Sequence, residues 1–206
     1  WSPDLGYAVV DPEVLEVTAA AARVFESTGA TLDEAGIDIE HPGGSFAAIW
    51  AVTFASKYTA MLDEWRDEMD PRLVRMVERG AGITANQYAQ AATAREEFWQ
   101  KIRPCFEKFD FLLTPTLAVA AFDVSQFEVT EIGGVQGSPG MDWTPFSYPF
   151  NFTGQPAASV PCGWTKDGLP IGLQIVGRRF DDIGVLKVAA AFEKAAPWGD
   201  KRPDLD

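Results

Sequence analysis

Two apolar runs near the carboxy terminus, Pro156 to Cys162 and Pro170 to Val176, are separated by a segment ending in Lys166, Asp167 and Gly168. Both runs are rich in β-branched or bulky residues, and an Asp-Gly pair suits a tight reversal with a positive φ at the glycine. This predicts an antiparallel hairpin. Alternation then puts Ala158 and Val160 on one face of the first strand and Ala157 and Ser159 on the other, with Ile171 to Ile175 as the paired partner. A sheet with one apolar face needs a covering layer, and the sequence offers helices on both sides of the hairpin.

The first helix is announced by Asp11 and Pro12, an N-cap and a first-turn proline, and ends at Gly29. Its Val14, Val17, Ala21, Val24 and Phe25 recur every three or four residues and line one face. Leu5 to Val10, just before it, reads as a short strand. After the turn-like His41 to Gly44 comes a long helical pattern carrying Phe46, Ile49, Trp50, Phe54, Tyr58, Met61 and Trp65. Asp70 with Pro71 starts another helix that runs to Gly80, and Thr84 with Gln87 forms a capping box for a third. The period changes at Phe111 to Pro115, a brief buried strand, followed by apolar coil to Phe122. Residues 123–142 have the composition of a surface loop. Asp181 or Asp182 caps a final helix whose Ile183, Leu186, Ala189 and Phe192 keep a three-residue rhythm up to Pro197. Together these elements predict the α/β class, with a mixed β-sheet and flanking helices.

Composition excludes several functions. Thirty acidic against 17 basic residues give a net charge of −13, a field that repels phosphate backbones and anionic lipid, so neither nucleic acid nor a membrane is an expected partner. Cys105 and Cys162 are far apart and form no redox or zinc pair, and reduced, packed thiols point to a cytoplasmic compartment. No GxSxG elbow and no Ser-x-x-Lys occurs. The single histidine, His41, stands in a turn, and the carboxylates Asp63, Glu64, Asp67 and Glu68 read as a solvated helix face. The residues themselves therefore describe an α/β segment without a catalytic centre.

The stretch from Tyr148 to Phe180 contains N-x-x-G-x-P-A-x-S-V-P-x-G at Asn151 to Gly163 and L-P-x-G-L-Q at Leu169 to Gln174. Upstream stand FDFLLTPT, Phe109 to Thr116, and Y-x-x-A-x-x-x-R at Tyr88, Ala91 and Arg95. In motif, order and spacing the chain resembles the amidase-signature family over nearly its whole length. The resemblance implies the carboxy-terminal part of that family's fold, residues 1–206 forming one portion of a single amidase domain whose amino-terminal catalytic portion is absent. It implies hydrolysis of a carbon-nitrogen bond in a small-molecule amide by two serines and a lysine, none of which has a matching position here, with no metal or organic cofactor. Isolated, the chain is expected to be inactive. Pocket-lining positions carried over from the family are Thr116, Asp142, Trp143, Thr144 and Phe146, and Phe146 is expected to contact the acyl group of bulky substrates. The rival expectations are the amidase-like component of a tRNA-dependent amidotransferase and a noncatalytic binding or scaffold domain. Homo-oligomerisation stays open.

Overall fold

The computed structural model describes residues 1–126, 129–136 and 143–202. They divide into two compact units, one of residues 1–40 with 102 onward, the other of residues 41–101.

In the first unit, helix α1 (Pro12–Val24) starts as predicted. The Asp11 carboxylate accepts from the backbone N–H of Glu13 and Val14, with Pro12 in the first turn. A 3₁₀ turn (Phe25–Thr28) prolongs the helix to Gly29 at φ 91°. Val14, Thr18, Ala21, Ala22 and Phe25 are the buried face.

The segment before α1 corrects an expectation, because Leu5 to Tyr7 is a turn and Ala8 to Val10 is irregular, so Leu5 to Val10 is not a strand. Ser2 Oγ accepts from Leu5 N–H at 3.0 Å and Asp4 Oδ1 from Gly6 N–H at 2.8 Å. The Asp4 carbonyl accepts from Tyr7 and Ala8, while Leu5 and Gly6 take φ of 53° and 82°. Local side-chain bonds of this kind compete with strand pairing.

The sheet has the order β1 (Leu112–Pro115), β5 (Pro170–Val176), β4 (Ala157–Trp164). Both pairings are antiparallel. The predicted hairpin is present, with Ala158 opposite Ile175 and Val160 opposite Leu173. It closes through Gly168 N–H to the Thr165 carbonyl at 2.9 Å, with Gly168 at φ 80°. Pro161 lies inside β4 rather than bounding it, and a register shift follows between Pro161 and Gly163. A proline cannot donate to the ladder, so it is tolerated on a strand at an edge or beside a bulge.

One face of the sheet, with Leu113, Val160, Leu173 and Ile175, packs against Ala21, Ala22 and Phe25 and against Val185 and Phe192 of α7 (Asp182–Ala195). Phe25 and Phe192 meet at 5.3 Å between ring centres. Asp181 caps α7, accepting from Gly184 N–H at 3.0 Å. The three-residue rhythm predicted for this helix holds at Phe192 but fails at Ile183 and Leu186, which are 63% and 61% exposed. The buried stripe runs through Val185 and Phe192 instead.

Within the expected surface loop lies a minimal hairpin, β2 (Glu131–Ile132) with β3 (Val135–Gln136). Gly133 and Gly134 form its turn at φ 56° and 82°, the two positive values that a type I′ reversal requires. Residues 127–128 and 137–142 of that loop lie outside the described residues.

In the second unit the long helical pattern is interrupted. Helix α2 (Gly43–Tyr58) gives way to a 3₁₀ turn (Thr59–Met61) and the short α3 (Leu62–Trp65). Thr59 Oγ1 donates to the Ala55 carbonyl at 2.7 Å and Ser56 Oγ to Thr53 at 2.8 Å, back-bonds that compete with the helical ladder and bend it. The aromatics Phe46, Trp50, Phe54 and Tyr58 meet in succession along one side of α2, tilted at 5.5 Å, edge-on at 5.2 Å and stacked at 5.7 Å between ring centres. Its fully covered residues are the small ones, Gly43, Ala51 and Ala55. Ala51 and Ala55 pack on α4 (Pro71–Ala81) at Gly80, where a Cβ would run into the Ala51 carbonyl. Asp70 caps α4, and the Arg72 guanidinium on its carboxylate lowers its pKa to about 2. The Thr84–Gln87 capping box is formed, Thr84 N–H donating to Gln87 Oε1 at 2.9 Å and Gln87 N–H to Thr84 Oγ1 at 3.2 Å. It opens α5 (Ala85–Lys108), whose last turns from Ile102 belong to the first unit.

Candidate functional site

The second face of the sheet is unlike the first. Ser159, Gln174 and Thr114 stand in one row across β4, β5 and β1, and all carry polar side chains. Gln174 is 5% and Thr114 0% exposed. Gln174 Nε2 donates to Thr114 Oγ1 and to the Phe146 carbonyl, both at 2.9 Å, which satisfies both amide hydrogens. Thr114 Oγ1 in turn donates to the Pro115 carbonyl at 2.8 Å. No fully buried side-chain donor of this row is left unpaired, as burial demands.

Diagonally across β5, Thr116 Oγ1 and Ser159 Oγ share a hydrogen bond of 2.7 Å. They meet over Gly172, where a Cβ would stand 2.7 Å from Ser159 Oγ and 2.8 Å from Thr116 Oγ1. The glycine of L-P-x-G-L-Q is therefore required by a close approach. Thr116 N–H donates to the Gly172 carbonyl at 2.9 Å, which continues the β1–β5 ladder one residue past the strand.

Residues 143–146 lie beside this row. Ala118 N–H donates to the Trp143 carbonyl at 3.1 Å, which brings two of the predicted pocket positions, Thr116 and Trp143, into one neighbourhood. Trp143 meets Phe122 edge-on at 5.4 Å. Trp143 and Thr144 are part-exposed and can face a ligand, whereas Phe146 is fully buried. The ring of Phe146 is thus a core anchor. Asp142, the remaining predicted position, lies outside the described residues. Sequence reasoning missed Ser159, Gln174 and Tyr7. Tyr7 Oη donates to the Pro145 carbonyl at 2.6 Å. Burial, and then Tyr148 beside it, push the Tyr7 phenol well above its ordinary pKa, so it stays a donor.

The loop is followed by α6 (Tyr148–Thr153), five of whose six residues are buried, and by Gly154 at φ 75°, which turns the chain into β4. Arg179 Nε donates to the Thr153 carbonyl at 2.8 Å, and Arg178 Nε to the Phe106 carbonyl at 2.9 Å. The arginine pair after β5 thus ties the ends of α6 and α5 to the sheet.

Both cysteines are free, and burial raises the Cys162 thiol to about 12, which leaves it inert as a nucleophile at neutral pH. His41 is exposed, its Nδ1 accepting from Gly43 N–H at 3.1 Å. A cavity of about 320 Å³ lined by Trp1, Ala19, Arg23, Glu26, Leu32, Asp33 and Glu34 contains none of the predicted pocket residues. Among the described residues no three His, Cys, Asp or Glu side chains cluster as metal ligands, and no helix is long and apolar enough to cross a membrane.

An antiparallel sheet with a helix-covered apolar face and a polar row on its second face, carrying the Asn151 to Gln174 motifs, defines the class. The sequence pattern of the amidase family matches residues 1–186, and the chain belongs to the amidase-signature family. It is 38% identical to an acylamidase of Rhodococcus erythropolis over 98% of this chain and 43% of that protein. It is 34% identical to one component of the glutamyl-tRNA(Gln) amidotransferase of Thermodesulfovibrio yellowstonii, over 61% of this chain and 25% of that one. A crystal structure of a bacterial aryl acylamidase of the amidase-signature family superposes with a TM-score of 0.83 at 29% identity, over 98% of this chain and 45% of that one. The chain thus spans less than half the length of these relatives.

Proposed function

We propose that this chain supplies the sheet core and part of the acyl-pocket wall of a cytoplasmic amidase that hydrolyses a linear amide. The observation that carries this reading is the acylamidase likeness over 98% of the chain, together with the position of Thr116, Trp143 and Thr144 beside the polar sheet face. The two serines and the lysine belong to a part of the enzyme outside these 206 residues. There the lysine takes the nucleophilic serine's proton through the second serine, and the serine oxygen adds to the amide carbonyl. The carbon-nitrogen bond breaks as the leaving amine receives that proton, and water then releases the acyl group. The role of this chain is to hold the acyl side of the substrate against a rigid wall.

Trp143 and Phe122 offer rings, and Thr116, Thr144 and Ser159 offer hydroxyls. No arginine or lysine lies between Lys108 and Lys166 to pair with a carboxylate, and burying one unpaired costs several kcal/mol. An apolar or aromatic acyl group is the substrate class that fits.

The amidotransferase reading has less identical matches in its support, 34% over 61% of the chain and 32% over 90% against 38% over 98% for the acylamidase. The intact enzyme, assayed without partner proteins, should release ammonia from aromatic amides with kcat/KM at least about tenfold above that for dicarboxylic monoamides. Activity that appears only when a partner protein is added would favour the amidotransferase, and a preference for the dicarboxylic monoamides would show a cation in the pocket.

A further inference from the structure

Buried backbone carbonyls need donors, and the four consecutive carbonyls of residues 143–146 are each engaged, two of them by side chains distant in sequence. The Trp143 carbonyl accepts from Ala118 N–H at 3.1 Å. The Thr144 carbonyl accepts from Ser147, through its N–H at 3.3 Å and its Oγ at 3.2 Å. The Pro145 carbonyl accepts from Tyr7 Oη at 2.6 Å, and the Phe146 carbonyl from Gln174 Nε2 at 2.9 Å. The donors come from four separate places: the coil after β1, the loop's own end, the turn before α1, and the centre strand of the sheet. Two of them are side chains that reach the loop from far along the sequence, and the buried Gln174 is held in turn by Thr114.

We infer that Tyr7 and Gln174 are positioning residues that fix the 143–146 loop, and through it the acyl wall of the pocket. The inference rests on the pocket assignment proposed above. A loop with every carbonyl satisfied by a fixed donor loses its backbone entropy on folding, so less remains to be lost when substrate binds. Each clamp acts on a backbone atom, so the side chains of Trp143 and Thr144 can vary between enzymes without releasing the loop. Neither Tyr7 nor Gln174 needs to touch the substrate.

Tyr7→Phe removes one hydroxyl and leaves the ring, and Gln174→Met removes both amide hydrogens at nearly constant volume. Two measurements test them together. Hydrogen exchange of the full-length enzyme carrying this chain, followed by mass spectrometry, should show amides of 143–148 exchanging at least tenfold faster in either variant, with the β4–β5 hairpin unchanged. In the full-length enzyme carrying this chain, KM for an aromatic amide should rise about tenfold with kcat within twofold, while KM for a small aliphatic amide stays within twofold. Unchanged exchange at 143–148 in both variants would overturn the clamp. Faster exchange with KM unaltered for both substrates would overturn the link from clamp to pocket. Equal acceleration across the whole chain would assign both residues a general structural role and also overturn it. Because the exchange measurement needs no activity, a full-length protein that hydrolyses no amide would refute the proposed function while leaving the clamp itself to be judged separately.

Discussion

Phe146→Ala is expected to destabilise the chain by about 3–5 kcal/mol, the cost of emptying a fully buried aromatic site. Phe146 stands where the 143–146 loop meets the sheet just before α6, with its carbonyl held by Gln174. Losing the ring removes apolar contact and leaves the Gln174 amide facing a loosened loop. Family likeness alone makes Phe146 a pocket residue whose truncation harms bulky substrates selectively. Its full burial reverses that expectation. In the intact enzyme, kcat/KM for bulky and for small amides should fall together, following the loss of folded protein. Urea unfolding and a two-substrate assay decide the matter. A selective loss on bulky amides with stability unchanged would return the ring to the pocket.

The second large effect lies in the other unit. Gly80→Val should destabilise residues 41–101 by about 3 kcal/mol, because the new side chain must displace the Ala51 backbone and the Ala55 Cβ. Glycine in a helix interior costs up to about 1 kcal/mol relative to alanine, so any gain in helix propensity is small beside the clash. Hydrogen exchange should report the change in α2 and α4. An unperturbed exchange pattern there would mean that the two helices can separate at no cost.

The parts of the fold legible in sequence were those coded locally. Asp11-Pro12, Asp70-Pro71 and Thr84 with Gln87 each cap a helix through bonds spanning two or three residues, and the β4–β5 hairpin is closed by its own Asp-Gly turn. Errors arose where a local competitor was overlooked. Ser2 and Asp4 turn the backbone at Leu5, and Thr59 bonds back to Ala55. At Gly133-Gly134, flanked by Ile132 and Val135, the hairpin signal was present but submerged in a loop composition. In α7 two registers of apolar residues exist, and only packing against the sheet selects Val185 over Leu186.

Of the candidate site, the neighbourhood of Thr116 and Trp143 is legible in the sequence and its interactions are not. Thr116 and Trp143 were named from family likeness, and the Ala118–Trp143 bond places them together. Ser159, Gln174 and Tyr7 could not be found from spacing, because each acts through a partner distant in sequence. Ser159 meets Thr116 only once β4 and β1 flank β5 in the observed register, and Tyr7 meets Pro145 only when the turn before α1 packs on the loop. One signal was available: a glutamine in an otherwise apolar strand is a buried polar group in search of partners.

The central claim is that this chain shapes the pocket while another part of the enzyme performs the chemistry. Treating the full-length enzyme and the 206-residue chain with a fluorophosphonate, then locating the adduct by peptide mass spectrometry, tests it most directly. The account predicts one labelled serine in the full-length enzyme, outside these 206 residues, and no adduct on the chain alone. An adduct on any serine of the chain itself, Ser159 included, would contradict it.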